Sequence, residues 1–458
     1  MINIVENILD NYQNDDLLFL DDSNDKWITK SEFKKKIDYW LEKTPNKKSL
    51  LFAYIDNRIE HVAFTFACLK KNHCVALLDS NLPDDSKNSL NQKYKPNFIF
   101  YDLDGSSTVK EFSKKNIEIY DENFLMLSTS GSTGSPKFVV LSNENISHNA
   151  MKISEILNIN KHSIAAGYLP FHYSYGLSVI TSHLISGAKI VLSNQSIMQS
   201  NFWKRIKEKN VNHFPGVPFH YEMMHKFGLE RLGLDKIKVM TQAGGHLDIN
   251  LRRLTHNYMN KKGGSFFVMY GQTEASPRIT TLKNEDFQDY SDSVGEPLED
   301  GLLTIEDSYL NDKGHKEGTI CYEGPNVMLG YAENIQDLSK KPDNEKKINT
   351  GDIGYIKDNK LFITGRLKRF AKIYGLRVNL DEIQKIINQE INKSAIIEKK
   401  EKLIIFCEGK FSEATETIVK EIILSKFTIP LNSVEVKFID KLPINSRDKI
   451  DYKALENF

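Results

Sequence analysis

Three short runs near the start of the chain, SLLFAYI (49–55), HCVALLD (73–79) and NFIFYD (97–102), are almost continuously apolar, and a helical pattern from Arg58 to Lys70 separates the first two. A strand with one wet face alternates polar and apolar residues, so runs like these must be covered on both sides. Strand–helix–strand alternation with doubly buried strands predicts a mostly parallel sheet flanked by helices. The pattern resumes at SIAAGYLP, AKIVLS and SFFVMYG. A chain of 458 residues exceeds one ordinary domain, so at least two compact units are expected.

From about residue 294 the texture changes to short strands and turns, GTICYEG and DIGYIKDNKLFITG. After the charged break Arg366-Leu367-Lys368-Arg369, Asn379 and Glu382 read as a capping box, opening a helix with Ile383, Ile386, Ile387 and Ile391 on one face. SAIIEKK and KLIIFCEG read as a hairpin around Lys399–Lys402. Ser412 starts a second helix with Ile418, Val419, Ile422 and Ile423 inward, and VEVKFID is a last strand. The expected fold is α/β. A large N-terminal domain, residues 1–367, holds mostly parallel sheets flanked by helices plus a short β-rich part. A small C-terminal α+β domain, residues 368–458, follows from a boundary at Lys368.

Composition excludes several function classes. Lys+Arg and Asp+Glu both number 61, so no global field draws nucleic acid or a membrane surface, and any polyanion must be bound locally. Cys68, Cys74, Cys321 and Cys407 form no CxxC pair, which indicates neither a disulfide framework nor a zinc site. The start, MINIVENILDNYQNDD, lacks the basic and apolar regions of a secretory leader. The longest apolar stretch, Tyr175 to Leu192, is interrupted by Ser178, Thr181, Ser182, His183, Ser186 and Lys189, too polar for an integral membrane segment. A cytoplasmic protein is expected.

The chemistry is concentrated in Ser128-Thr129-Ser130-Gly131-Ser132-Thr133-Gly134-Ser135-Pro136-Lys137. A Walker loop places its lysine directly after a glycine and runs into a helix. Here Pro136 precedes Lys137 and the β-branched run FVVL follows, so the segment reads as strand–loop–strand. Its glycines would let backbone N–H groups approach phosphate oxygens, with hydroxyls and one cation completing the cradle. A polar surface hairpin is the alternative from composition alone.

This string resembles the signature loop of the adenylate-forming (AMP-binding) superfamily of acyl-CoA synthetases, adenylation domains and luciferases. Further motifs of that superfamily are matched in order by Tyr270-Gly271-Gln272-Thr273-Glu274, Val294-Gly295-Glu296-Pro297, Gly324-Pro325-Asn326-Val327-Met328-Leu329-Gly330-Tyr331, Thr350-Gly351-Asp352, Gly365-Arg366-Leu367-Lys368 and the Lys449 segment LPINSRDKIDY. The resemblance spans about 124–455.

The resemblance implies a role for each residue. Thr129, Ser130, Gly131, Ser132, Thr133, Gly134 and Lys137 would cradle ATP phosphates. Gly244, Gly245, Tyr270 and Gly271 would enclose the adenine, and Asp352 would accept both ribose hydroxyls, although a bare TGD is more often a turn-capping aspartate. Thr273 would contact phosphate and Glu274 would ligate Mg²⁺, which favours oxygen donors; in isolation Glu274 reads as a surface acid. Arg366 and Lys372 would face the ribose and α-phosphate, or with Lys368 and Arg369 form only a solvated charge run. Lys449 would bridge carboxylate and α-phosphate as charge builds in the transition state. Lys368 is the implied hinge of a mobile C-terminal domain, and Gly375 the implied face for a pantetheine thiol.

Departures from the family pattern are Phe138 where glycine usually follows the signature lysine, Asp448 where glycine usually precedes the catalytic lysine, and Arg369 where an acid is common after the hinge. Phe138 is expected to add bulk beside the loop. The segment Leu169–Leu177 resembles the aromatic gate of acyl-CoA synthetases, which implies His172, Tyr173 and Gly176 at the acyl pocket. No acid lies between Gly167 and Leu184, and an unpaired buried ammonium is costly, which argues against α-amino acids as substrates.

The reading is an ATP-dependent acid–thiol ligase that forms acyl-AMP with release of pyrophosphate and transfers the acyl group to a pantetheine thiol, with ATP, Mg²⁺ and CoA as expected cofactors and co-substrates. The alternatives are a stand-alone adenylating enzyme loading an acyl or peptidyl carrier protein, and a catalytically silent nucleotide-binding interaction protein. The expected partner is a small carboxylic acid, and no nucleic acid.

Overall fold

The computed structural model describes residues 2–22, 25–128, 137–342, 346–373, 376–391, 393–399, 402–427, 429–445 and 449–458. Two compact units divide the chain: Met1–Leu302 with Tyr322–Ile348, and Leu303–Cys321 with Asn349–Phe458.

The first unit contains two sheets. One has seven strands in the order Gly330–Ala332, Phe138–Leu141, Leu125–Ser128, Cys74–Asp79, Leu50–Ile55, Phe98–Leu103, Ser106–Glu111. Its centre is parallel and its edges are closed by antiparallel pairs. The strand Leu50–Ile55 explains why its sequence carries no polar alternation: Leu51, Ala53 and Ile55 enter one core, Leu50, Phe52 and Tyr54 another. Both faces are buried, as the three apolar runs predict.

The second sheet has nine strands, in the order Glu296–Pro297, Arg278–Leu282, Ser265–Gly271, Val239–Gln242, His213–Gly216, Ile164–Gly167, Lys189–Leu192, Leu17–Leu20, Ile28–Thr29. The run from Ser265–Gly271 to Leu17–Leu20 is parallel. Helices Lys30–Lys43, Ile59–Lys70 and Ser174–Leu184 share one apolar core with residues of both sheets. The helix Ile59–Lys70 has a buried side chain at nearly every position, which a helix covered on all sides requires.

The second unit carries most of a four-stranded sheet, Leu302–Leu310, Lys316–Glu323, Lys347–Lys357, Lys360–Arg366. It also holds the three-stranded sheet of Ser394–Lys399, Lys402–Glu408 and Val434–Ile439. The expected hairpin closes with Lys399 opposite Lys402, and the last strand runs parallel to the second. Helix Leu380–Glu390 buries Ile383 and Ile387, and helix Glu413–Phe427 buries Val419, Ile422 and Ile423, in one core. Ile418, expected inward, is exposed; positions 419, 422 and 423 define the inner stripe, and 418 lies about 100° round the helix from 419.

Within the second unit, helix Leu380–Glu390 contacts strand Lys360–Arg366. Arg369 is not part of a solvated charge run. Its Nε donates to Asp381 at 2.8 Å, its guanidinium also donates to the Ile396 carbonyl at 2.6 Å, and it lies 4.0 Å from the Tyr452 ring centroid. Among the described residues no helix is long and apolar enough to cross a membrane.

Candidate active site

The strands Leu125–Ser128 and Phe138–Leu141 pair antiparallel, with Ser128 opposite Phe138. The segment between them therefore leaves one strand and returns directly on the next, the strand–loop–strand arrangement read from Pro136 and FVVL. Thr129, Ser130, Gly131, Ser132, Thr133 and Gly134 lie outside the described residues. Phe138 adds no bulk beside the loop: it is wholly buried against Phe52 and Tyr94, ring centroids 5.9 and 5.1 Å away. The pleat turns 138 into that core and leaves Lys137 half-buried at the loop's base.

Lys137 does not stand alone. The strand Gly330–Ala332 pairs with the hairpin, Tyr331 opposite Val139. Lys137 Nζ lies 3.4 Å from the centroid of the Tyr331 ring, a cation–π contact. Tyr331 Oη donates to Glu274 Oε1 at 2.8 Å. Tyr331 is exposed as a residue, but partial desolvation of its hydroxyl and then the adjacent Glu274 carboxylate push that hydroxyl above the usual phenol range, so it remains a donor at neutral pH. A cation, an aromatic hydroxyl and a carboxylate thus adjoin the mouth of the loop.

The turn carrying Thr273 and Glu274 is held by backbone and by two buried amides, Asn326 and, at longer range, Asn149. Gly271 is required sterically, since a Cβ there would lie 1.8 Å from the Pro277 carbonyl oxygen. The Gln272 N–H donates to that same oxygen at 2.9 Å, and the Met328 N–H donates to the Glu274 carbonyl at 2.9 Å. Asn326, fully buried, donates through Nδ2 to the carbonyls of Ala275 (2.6 Å) and Arg278 (2.7 Å) and accepts from Tyr322 Oη at 2.8 Å. Thr273 Oγ1 meets Ser174 Oγ at 3.2 Å, at the first residue of helix Ser174–Leu184.

Gly244 and Gly245 follow the strand Val239–Gln242, whose Gln242 pairs with Val268, so they leave the sheet beside the Tyr270 end of the neighbouring strand. Gly244 has φ +85°, a left-handed backbone, and a Cβ there would meet Val217 at 3.3 Å. Gly176 is fixed by packing, because its Cβ would lie 2.3 Å from the Pro170 carbonyl oxygen. His172 is buried, its Nε2 3.9 Å from the Asp79 carboxylate and its ring edge-on to Tyr173 at 4.2 Å. A cavity of about 20 Å³ lies behind helix Ser174–Leu184; Tyr175, Ser178, His183, His213, Thr241 and Arg278 contribute to its wall, whereas His172, Tyr173 and Gly176 do not.

In the second unit Asp352 and Arg366 are cross-strand partners, with Arg366 Nε 3.2 Å from the Asp352 carboxylate. The preceding turn explains the Thr-Gly-Asp string. Gly351 has φ +72°, and Thr350 Oγ1 donates to the Ile320 carbonyl while accepting from the Asp352 N–H. Asp352 is thereby held almost buried, and the Arg366 side chain is largely exposed. Lys449 sits in a turn closed by the Ile444–Ile450 bridge, by the Asn445 N–H donating to its carbonyl at 2.8 Å, and by its own N–H donating to Asn445 Oδ1 at 3.2 Å. Lys368 and Lys372 are placed through their backbone alone, in a short 3-10 turn and in the strand Phe370–Ile373. Gly375 and Asp448 lie outside the described residues.

Sequence reading gave no role to Asn326, Tyr331, Ser174 or Arg278. Arg278 left one trace, a lone cation opening the otherwise uncharged strand RITTL; Asn326 left none, since a polar residue in GPN reads as an ordinary turn.

Comparison with known proteins agrees with this geometry. The AMP-binding enzyme family is matched over residues 115–332. The chain is 27% identical over 361 residues to 4-coumarate-CoA ligase 1 of Narcissus pseudonarcissus, a match covering 74% of this chain and 65% of that protein's length. It is 24% identical over 487 residues to a D-alanine–D-alanyl carrier protein ligase of Bacillus cereus (strain G9842), covering 94% of both. The fold is shared with o-succinylbenzoate CoA synthetase from Bacillus subtilis in complex with its acyl-adenylate intermediate, with TM-score 0.79, 20% identity and coverage of 100% of this chain and 98% of that one.

Proposed function

Because the chain belongs to the adenylate-forming (AMP-binding) superfamily, we propose that it is an ATP-dependent acid–thiol ligase of the acyl-CoA synthetase type. The observation that carries this reading is the loop-closing hairpin with Lys137, Tyr331 and Glu274 gathered at its base. A phosphate held by the loop would have a cation and an oxygen ligand beside it.

In the first step a carboxylate oxygen of the acid attacks the α-phosphorus of ATP, the bond to the β-phosphate oxygen breaks, and pyrophosphate leaves. Lys137 and the loop hold the phosphates being released. Tyr270 and the Gly244–Gly245 backbone enclose the adenine, and Arg366 and Lys372 face the ribose and α-phosphate. Among the described residues no cluster of three or more His, Cys, Asp or Glu side chains is placed to cage a metal. The Glu274 carboxylate and Thr273 hydroxyl are hard oxygen donors that suit Mg²⁺ completed by phosphate oxygens. Bound there, the ion would neutralise phosphate charge. In the second step the pantetheine thiolate attacks the acyl carbonyl carbon at the Gly375 face and AMP leaves, with Lys368 as the hinge between the two steps.

Asp352 accepts the ribose hydroxyls. Asp352→Ala should raise KM for ATP roughly 10–100-fold, the loss expected for hydrogen bonds to a charged acceptor. Steady-state pyrophosphate release at varied ATP checks it, and an unchanged KM removes Asp352 from the ribose site.

CoA is the acceptor in the leading reading. Coverage of 94% of both chains in the match to a carrier-protein ligase supports a second, in which the thiol belongs to a carrier protein's phosphopantetheine arm. Supplying free CoA and holo carrier proteins separately, with a panel of acids, distinguishes them. Pyrophosphate release without acyl-CoA in any reaction would overturn the first reading in favour of the second.

A further inference from the structure

Arg278 is a buried cation to which no described carboxylate is paired. It opens the strand Arg278–Leu282 and is 2% exposed. Its Nε makes no hydrogen bond, and its guanidinium carbon lies 5.5 Å from the Tyr175 ring centroid. Burial pulls the guanidinium down to about 10, which leaves it charged at neutral pH. A buried charge normally has a partner, because removing a charge from water without one is strongly unfavourable.

The surrounding groups do not supply that partner. Among the described residues, no acidic side chain lines the cavity beside Arg278. The Tyr175 hydroxyl donates to Thr241 and is pushed up by burial, so it is not an anion. His183 Nδ1 lies 2.8 Å from the Val179 carbonyl and its Nε2 lies 3.1 Å from His213 Nδ1, the spacing of a chain of two neutral imidazoles each donating from Nδ1. Burial holds both rings below the usual histidine range. The wall is otherwise hydroxyls and apolar side chains, and the cavity's volume of about 20 Å³ holds about one water.

The cavity adjoins the turn of Thr273 and Glu274 through two of its wall residues, Arg278 and Tyr175. Arg278 ends the turn that carries Thr273 and Glu274, and its carbonyl is clamped by the same Asn326 amide that holds Ala275. Tyr175 follows Ser174, whose hydroxyl meets Thr273. The void is therefore directly behind the turn to which the proposed adenylation chemistry is assigned. Met269, also in its wall, is an unbranched side chain that can give way as a ligand displaces the water.

We propose that Arg278 is the counter-ion for a second carboxylate on the substrate, and that the acids activated by this enzyme are dicarboxylic acids adenylated at one end. This rests on the acid-activating reading above. A guanidinium fork matches a carboxylate in plane and charge, and a monoacid or an amino acid would leave that cation buried without an anion.

The test compares chain-length-matched pairs, succinate with butyrate and glutarate with valerate, in acid-dependent pyrophosphate release by the wild type. A preference in kcat/KM of roughly 10–100-fold for the diacid is expected. Arg278→Met, matched in bulk and uncharged, should collapse that ratio towards one, whereas Arg278→Lys should retain part of it. Wild-type preference for the monoacids, or a diacid preference that survives in Arg278→Met, overturns the proposal. Calorimetric titration of the same acids, without ATP, into the wild type and both variants separates this from failure of the ligase reading. Tighter diacid binding by the wild type than by Arg278→Met, with no pyrophosphate release from any acid, would sustain the carboxylate site and sink the enzyme assignment. Equal binding of diacids and monoacids by the wild type sinks the site, whatever the turnover and whether or not the variants fold.

Discussion

Lys449→Ala should lower acid-dependent pyrophosphate release by about 10²–10³, the usual cost of removing one preorganised donor from a developing oxyanion. ATP affinity should change little, because the ammonium is assigned to charge that appears only as the carboxylate and α-phosphate approach the transition state. The turn around Lys449 suits that task. The Ile444–Ile450 bridge and two hydrogen bonds to Asn445 fix its backbone, so the side chain starts from a defined base. Lys449→Arg should not restore the rate, since a planar fork replaces a compact point charge. Single-turnover pyrophosphate release and equilibrium binding of ATP, measured on the same preparations, give the two numbers. Wild-type release by the alanine variant would remove Lys449 from the chemistry.

The second large effect is on folding. Asn326→Ala should destabilise the first unit by roughly 2–4 kcal/mol, because it leaves two buried carbonyls and one tyrosine hydroxyl without their best partner. The bonds concerned are Asn326 Nδ2 to Ala275 O and Arg278 O, and Tyr322 Oη to Asn326 Oδ1. Asn149 Nδ2 also reaches the Ala275 and Arg278 carbonyls, at 3.4 and 3.3 Å, and should limit the loss. The double variant Asn149→Ala/Asn326→Ala should therefore cost more than the sum of the two single ones. Urea denaturation followed by tryptophan fluorescence reports the stability. A second readout is KM for ATP, which should rise because the clamped turn carries Thr273 and Glu274. A variant with an unshifted midpoint would show that the clamp is dispensable.

How much of this was legible in the sequence follows from which forces are local. The parallel sheets were readable because burial on both faces imprints itself on every residue of SLLFAYI and HCVALLD. The loop's strand–loop–strand form was readable because Pro136 and FVVL constrain the backbone where they stand. What could not be read depends on partners far along the chain. Phe138 pointed the wrong way in the reading because the pleat, not the residue type, decides whether position 138 meets the loop or the Phe52–Tyr94 core. Arg369 read as one charge in a run until Asp381 and the Ile396 carbonyl were seen around it. Asn326, Tyr331 and Arg278 act through contacts with residues 48, 57 and 103 positions away respectively, beyond any local periodicity.

The three-residue strand Gly330–Ala332 has a bearing on how the protein is made. Until it docks, the outer edge of Phe138–Leu141 presents FVVL with unpaired backbone donors and acceptors, a template for pairing with other chains. The ribosome must add 191 residues between Leu141 and Ala332, which takes on the order of 10–40 s at ordinary elongation rates. Throughout that interval the nascent first unit carries a sticky margin along the strand Phe138–Leu141. Nascent chains stalled before Gly330 should therefore aggregate, or recruit chaperones, more readily than chains released after Ala332.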